Sequence, residues 1–230
     1  MLDSAYVSFI INFVGFKAFL TNQLVSFVTA VMDDDTATEI LAATYRALCQ
    51  HGYAALTVKD IAAEADRSKA SIHYYYDSKE NLFTQFLDFL YERYTAKISA
   101  VDGNTPREEL TSLLDTVLTD GRTIPGQEFR TALLEIKAQA PYNDAFRTQL
   151  AKFDAVLFDQ LREIIVAGVE TGEFDDTVEP SVAAEFLVTT ITGAHTRHVA
   201  TDRSIDRFNE TITRYAETHL FADAPAEATR

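Results

Sequence analysis

The chain has a single cysteine and no tryptophan in 230 residues. A lone Cys49 excludes an intramolecular disulfide framework and any zinc site built on clustered cysteines, and it fits a reducing compartment. No glycine-rich phosphate loop and no Gly-x-Ser-x-Gly nucleophile elbow is present. None of the sixteen glutamates is followed three positions later by histidine, which removes the Glu-x-x-His pairs a carboxylate-bridged metal bundle requires. An all-helical enzyme is left as a rival class with no motif behind it, and no cofactor is expected. Sustained period-2 alternation is missing too, so no sheet is expected, and there is no repeat at solenoid spacing.

Positive charge is scarce. Twenty Lys and Arg face 35 Asp and Glu, for a net charge of −15. By itself this argues against nucleic acid, because phosphate neutralisation and counterion release drive such binding. Aspartate outnumbers glutamate, arginine outnumbers lysine, and the acid is spread over nearly the whole chain. That pattern resembles proteins of salt-loving organisms. At molar salt the Debye length falls to about 3 Å, so distant acids barely repel a DNA backbone. Ten tyrosines and sixteen phenylalanines supply a substantial core and exclude a disordered chain.

Acid is absent from residues 4–32, where Lys17 is the only charge, and begins at Asp33-Asp34-Asp35. Three readings compete for the apolar extension 1–31. A membrane anchor over 5–31 has the length, but a central lysine costs about 2.5–3.5 kcal/mol on insertion scales. An extra helix packed on the domain is the second. The third, that the functional chain starts at Met32, is preferred because the composition changes abruptly there.

From Thr36 onward the pattern is helical. Ile40, Leu41, Thr44, Tyr45 and Leu48 mark an amphipathic helix ending near His51-Gly52. Thr57 opens a short helix to Ala65, Ser68 caps a second over Lys69–Tyr75, and Ser78 caps a longer one. Asp102-Gly103-Asn104 breaks the chain and marks a boundary in the helical pattern. Thr105-Pro106-Arg107-Glu108 then reads as a full capping box with proline at the first helical position. Further helices are expected at about 127–140, 143–171, 180–200 and 205–220, with a disordered tail at 222–230.

The stretch TVKDIAAEADRSKASIHYYYDSKENL, from Thr57 to Leu82, reads as a helix-turn-helix. A short apolar-faced helix is followed by a polar turn and a second short helix rich in hydroxyl, basic and aromatic residues. The first would brace the second, whose N-terminal side chains enter the major groove. This segment resembles the DNA-binding domain of the TetR family of regulators. The resemblance rests on Ser68-Lys69-Ala70-Ser71-Ile72-His73-Tyr74-Tyr75-Tyr76, on Ser78-Lys79-Glu80-Asn81-Leu82 and on Leu56 to Ala62, and it covers about 36–82.

The resemblance implies a role for each position. Thr57 and Lys79 contact phosphates and Ser68 caps the recognition helix. Lys69, Ala70, Ser71 and Tyr74 lie nearest the base edges. His73 stands where the family commonly has a phosphate-binding tyrosine. Lys59 is a further DNA-facing position. Asp66-Arg67 replaces the family's common Gly-Val turn, which puts the turn geometry in question and gives Arg67 a DNA contact. Tyr75 and Tyr76 are expected to pack rather than to touch DNA.

The expected architecture is all-α. An N-terminal three-helix DNA-binding domain occupies 32–82, and a helical regulatory and dimerisation domain occupies 83–221. Expected partners are a double-stranded DNA operator, a small-molecule effector and a second copy of the chain. Phe86, Phe89, Leu90, Phe129, Leu133, Phe153 and Leu157 are proposed pocket walls, although residues at such spacing are more often plain core. Val182, Phe186, Thr189, Thr190 and Gly193 are proposed for the dimer interface. His195 and His198 have metal-like spacing but no third ligand, which favours a structural role. The function expected is a cytoplasmic repressor released from its operator by a small molecule.

Overall fold

The computed structural model describes residues 36–118, 127–201 and 204–222. The expectations for 1–31 and for the tail beyond Ala222 fall on residues outside that set. Nine α-helices form among the described residues. They are α1 (Thr36–Ala55), α2 (Val58–Glu64), α3 (Lys69–Tyr75), α4 (Lys79–Ser99), α5 (Pro106–Leu118), α6 (Gln127–Gln139), α7 (Asp144–Thr171), α8 (Pro180–Thr201) and α9 (Ile205–His219). A 3₁₀ turn, Ala140–Tyr142, joins α6 to α7.

Side-chain caps set most of these starts. Thr57, Ser68, Ser78, Asn143 and Ser204 each accept a hydrogen bond from a backbone N–H in the first turn of the helix that follows. Such a cap contributes about 1 kcal/mol. The start of α5 departs from the expected box. Thr105 accepts from Glu108 N at 3.3 Å, but the Glu108 carboxylate reaches past the cap to Asn104 N at 2.9 Å.

The first helix also departs from expectation. Gly52 interrupts it with φ 69° and ψ 165°, as a glycine stop should, yet a further turn follows, closed by Leu56 N on Gly52 O at 3.2 Å. Sheet is confined, among the described residues, to one isolated bridge between Phe174 and Phe221. Arg107 lies over the Phe221 ring at 4.2 Å and closes that corner.

Two apolar cores organise the helices. The first gathers Ile40, Leu48, Ile61, Ile72, Leu82 and Phe83 from α1 to α4, with Phe86 and Leu87 from the same long helix. Phe129, Ala132 and Ile136 of α6 and Phe146 of α7 belong to it as well. The helix-turn-helix therefore rests on elements more than forty residues further along the chain. The second core unites α5, α7, α8 and α9 through residues such as Leu110, Leu114, Leu161, Leu187, Ile191 and Ile212. Helix α4 crosses between the two cores, burying Phe83 and Phe86 in one and Ile98 in the other.

Candidate nucleic-acid interface

Helix α3 is short, and its orientation depends on one residue. Ile72 is fully buried, so the residues around it must face outward. Lys69, Ala70, His73 and Tyr74 are exposed, and Ser71 is half-buried behind them. Tyr74 is 83% exposed and meets the Tyr75 ring edge-on at 5.1 Å. Tyr76 is buried, and its hydroxyl donates to Ala37 O at 3.3 Å. Tyr75, expected to pack, is 41% exposed and sits on the outer surface beside Tyr74. Ser68 accepts from Ser71 N at 3.0 Å, the cap the sequence implied.

The turn between α2 and α3 explains how aspartate replaces glycine. Asp66 adopts φ 51°. Its N–H bonds to Ala63 O at 3.3 Å and Arg67 N bonds to Ala62 O at 2.9 Å. These are the two bonds of a Schellman ending, whose left-handed position usually holds glycine and tolerates short polar side chains. The turn geometry survives the substitution at the expense of some backbone strain.

Several bases of the unit are already engaged. Arg67 Nη2 pairs with Glu39 at 2.7 Å, and Arg46 Nε pairs with Glu64 at 2.6 Å. Lys79 Nζ donates to Tyr53 O at 2.8 Å and lies 4.4 Å from the centroid of the Tyr53 ring. Burial there pushes its ammonium below the usual lysine range, against the pull of Glu135 and Asp60. Lys59 and Lys69 are exposed and form no ion pair among the described residues.

Thr57 is engaged too. Its hydroxyl donates to Asp60 Oδ2 at 2.6 Å, and its N–H donates to the same oxygen at 2.9 Å. These two bonds hold the Asp60 carboxyl below its ordinary range. A phosphate at this cap must therefore compete with Asp60 for the hydroxyl proton.

The unit is locked to the rest of the chain at the end of α1. Glu135 of α6 accepts from Ala54 N at 2.9 Å, just after the break at Gly52. Tyr45 of α1 stacks on Phe129 of α6 with centroids 4.9 Å apart, and Tyr53 meets Phe83 and Phe146 edge-on. Sequence reading missed Glu135, because a lone acid in a helix gives no signal of an 81-residue-distant partner. The half-buried Cys49 thiol is pushed up to about 11 by burial, so it stays protonated near neutrality and is a poor nucleophile.

The proposed pocket positions other than Phe153 are divided between the two cores. Phe86 and Phe129 are buried in the first core, with Phe89, Leu90 and Leu133 packed against it. Leu157 belongs to the second core. Phe153 lies apart, with its ring 5.5 Å from both Tyr91 and Tyr94. On α8, Val182 and Phe186 are 67% and 42% exposed and Thr189 is exposed, while Thr190 is half-buried and bonds back to Phe186 O. A side chain at Gly193 would meet nothing within 4 Å, so that face is open. His195 Nε2 lies 2.9 Å from Val117 O, a contact that ties α8 to α5. Among the described residues no group of three His, Cys, Asp or Glu side chains forms a metal site, and no helix is long and apolar enough to cross a membrane.

Comparison with known proteins places this geometry. Residues 40–86 match the family described as bacterial regulatory proteins, tetR family, and residues 106–220 match the BetI-type transcriptional repressor C-terminal family. The HTH-type transcriptional repressor AcnR of Corynebacterium glutamicum is 26% identical over 174 residues, which is 76% of this chain and 87% of that one. A TetR transcription regulator from Haloarcula marismortui is 38% identical with a TM-score of 0.75, covering 82% of this chain and all of the other. A regulator from Saccharomonospora viridis, solved with choline, shares the fold at 21% identity and a TM-score of 0.70, covering 83% and 100%. These relatives regulate transcription and none is described as an enzyme. The chain belongs to the TetR family, as a ligand-responsive helix-turn-helix transcriptional regulator of the repressor type.

Proposed function

We propose that the chain is a cytoplasmic homodimeric repressor that leaves its operator when a small molecule binds. Residues 32–82 are assigned to DNA binding and 83–221 to regulation and dimerisation. The carrying observation is the outward face of α3, where Lys69, Ala70, His73 and the 83%-exposed Tyr74 surround a buried Ile72. An aromatic this exposed on a helix held so firmly adds little to the core, and major-groove contact gives it a role. Lys69, Ala70, Ser71 and Tyr74 are assigned to bases, and Thr57, Lys59, Arg67, His73 and Lys79 to phosphates.

Dimerisation is assigned to Val182, Phe186, Thr189, Thr190 and Gly193, most of which lie at alternating three- and four-residue spacing on one stripe of α8. Tyr215 of α9 extends the stripe, its ring 4.6 Å from Phe186. The acidic composition and the 38%-identical Haloarcula regulator support a salt-loving source. Footprinting of the DNA upstream of the gene in molar KCl tests the reading. Two protected half-sites about one helical turn apart are expected. Tyr74→Ala and Lys69→Ala should abolish protection, and Phe186→Glu should give a monomer in sedimentation. Absence of any preferred site in that DNA sinks the proposal.

A further inference from the structure

Where α1 ends and α2 and α4 begin, four hydrogen-bond donors meet: the N–H groups of Ala54 and Thr57, the Thr57 hydroxyl and the Lys79 ammonium. Ala54 and Thr57 are exposed and Lys79 is half-buried, so the cluster opens to solvent. Such a set suits an oxyanion, and Thr57 and Lys79 are already assigned to phosphates. Carboxylates fill it instead. Both Thr57 donors go to Asp60 Oδ2, at 2.9 and 2.6 Å, and Ala54 N–H goes to Glu135 Oε2 at 2.9 Å. Lys79 donates to Tyr53 O, next in the chain to Ala54, at 2.8 Å. Burial pushes the Lys79 ammonium down while Glu135, and after it Asp60, draws it up, so both carboxylates act on the one cation.

The two acids differ in origin. Asp60 belongs to the capping box of α2 and travels with the helix-turn-helix. Glu135 comes from α6, 81 residues along the chain from Ala54. Ala132 and Ile136 beside it are fully buried in the first core, which fixes the α6 backbone and leaves the carboxylate as the part that can swing. A Cβ at Gly52 would lie 3.0 Å from Glu135 Oε1, so the other carboxylate oxygen sits close against the break in α1. Residues 36–80 already hold six acids against five bases, and a brace needs no charge. Another anion brought to a face that meets phosphates opposes DNA by like-charge repulsion. Competition with the ligand accounts for a carboxylate here, and bracing alone does not.

Building on the repressor reading, we propose that Glu135 is an internal substitute for a DNA phosphate, holding the Ala54 N–H that a backbone phosphate takes when operator binds. Carboxylate and phosphodiester oxygens accept charge-assisted bonds from the same donors, so they exclude one another at Ala54. Operator binding expels Glu135 and gives the phosphate Lys79 as well. Whatever presses α6 toward the end of α1 then weakens the operator complex, and by linkage bound DNA loosens that contact by the same factor. The regulatory half thus opposes DNA through one side chain of α6.

The test follows the full chain in about 0.5 M KCl, where screening is incomplete, by fluorescence anisotropy and by hydrogen exchange at the Ala54 amide. Two duplexes are used, one carrying the upstream site found by footprinting and one of random sequence. Glu135→Ala should tighten both about fivefold, or roughly 1 kcal/mol, with Glu135→Gln between it and the wild type. Glu128→Gln makes the same charge change on α6 near Tyr45, away from the cluster, and should leave affinity as it was. In the free Glu135→Ala chain the Ala54 amide should exchange about five- to tenfold faster than in the wild type, and bound duplex should restore its protection. Affinity unchanged or lowered in Glu135→Ala is what a brace gives, and it overturns the proposal. An Ala54 amide that stays fast under bound duplex, or an equal gain in Glu128→Gln, overturns it too. The random duplex needs no operator, so tighter random-duplex binding with no preferred upstream site would refute the repressor reading alone.

Discussion

Replacing Gly52 with alanine tests whether the junction between α1 and α6 is as tight as its geometry implies. Gly52 has φ 69° and ψ 165°, a region essentially reserved for glycine, and holding another residue there costs about 1–3 kcal/mol. A Cβ at this position lies 3.0 Å from Glu135 Oε1 and 3.2 Å from Oε2, so the carboxylate must retreat. Retreat weakens its bond to Ala54 N, worth about 1 kcal/mol at this half-exposed site. Restricting the unfolded chain returns about 0.4–1 kcal/mol. The net loss is about 2–3 kcal/mol, or roughly 6–10 °C in Tm for a chain of this size. Gly172 is the control. It also has positive φ, 74°, but a Cβ there meets nothing within 4 Å, so Gly172→Ala should cost only about 1 kcal/mol. In a Glu135→Ala background the Gly52→Ala cost should shrink by about 1 kcal/mol, read as the coupling in a double-mutant cycle of urea melts. Equal losses at Gly52 and Gly172, or zero coupling, would refute the reasoning.

Glu39→Gln should free Arg67 for DNA, raising operator affinity and steepening its salt dependence by about one phosphate contact in anisotropy titrations. An unchanged slope would mean Arg67 never reaches the backbone. Asp66→Gly should relieve the strain at φ 51° and raise Tm by about 2 °C, after the opposing gain in unfolded-state entropy. A lower Tm would show that the aspartate side chain stabilises the turn. Burial of Lys97 and Lys137 predicts a pH effect of definite sign. Their folded pKa values lie below the ordinary 10.5, so between the two values the unfolded chain holds more protons and stability rises with pH. Any stability advantage of the Lys97→Met, Lys137→Met double variant over the wild type should therefore narrow as pH rises toward the ordinary lysine value of 10.5. A gap independent of pH would place both ammoniums in water.

What the sequence disclosed was whatever is local. Caps at Thr57, Ser68 and Ser78, the glycine break at Gly52 and the apolar stripes are properties of a few neighbouring residues, and each appears where the spacing puts it. The α3 surface was equally legible, since one buried Ile72 fixes which side faces out. Long-range partners left no local trace. Nothing near Arg67 announces Glu39, and nothing near Glu135 announces Ala54. Apolar residues on α4 and α6 could be assigned to a core but not to one of two cores. Tyr75 was misjudged because three consecutive tyrosines on a helix cannot share a face, and only tertiary packing decides which is buried.

The acidity of the DNA-binding unit has a quantitative consequence. Residues 36–80 carry five Lys and Arg against six Asp and Glu, and two of those bases are tied to acids. Few cations remain for DNA of any kind, with Lys59 and Lys69 exposed and Lys79 half-buried on Tyr53. Affinity for DNA falls with salt in proportion to the number of phosphates neutralised, with a logarithmic slope of about −0.9 for each. A protein making about three such contacts loses roughly a thousandfold between 0.15 and 2 M salt, whereas one making eight loses about 10⁸-fold. Surrendering basic residues therefore protects binding where salt is high, provided base contacts and shape supply the affinity that phosphates do not. On the proposed reading that shifts the burden onto Ala70, Ser71 and Tyr74, whose assigned base contacts would not depend on counterion release. It follows that Tyr74→Ala should be more damaging than loss of any single lysine at 2 M KCl, with the order narrowing or reversing as salt is lowered.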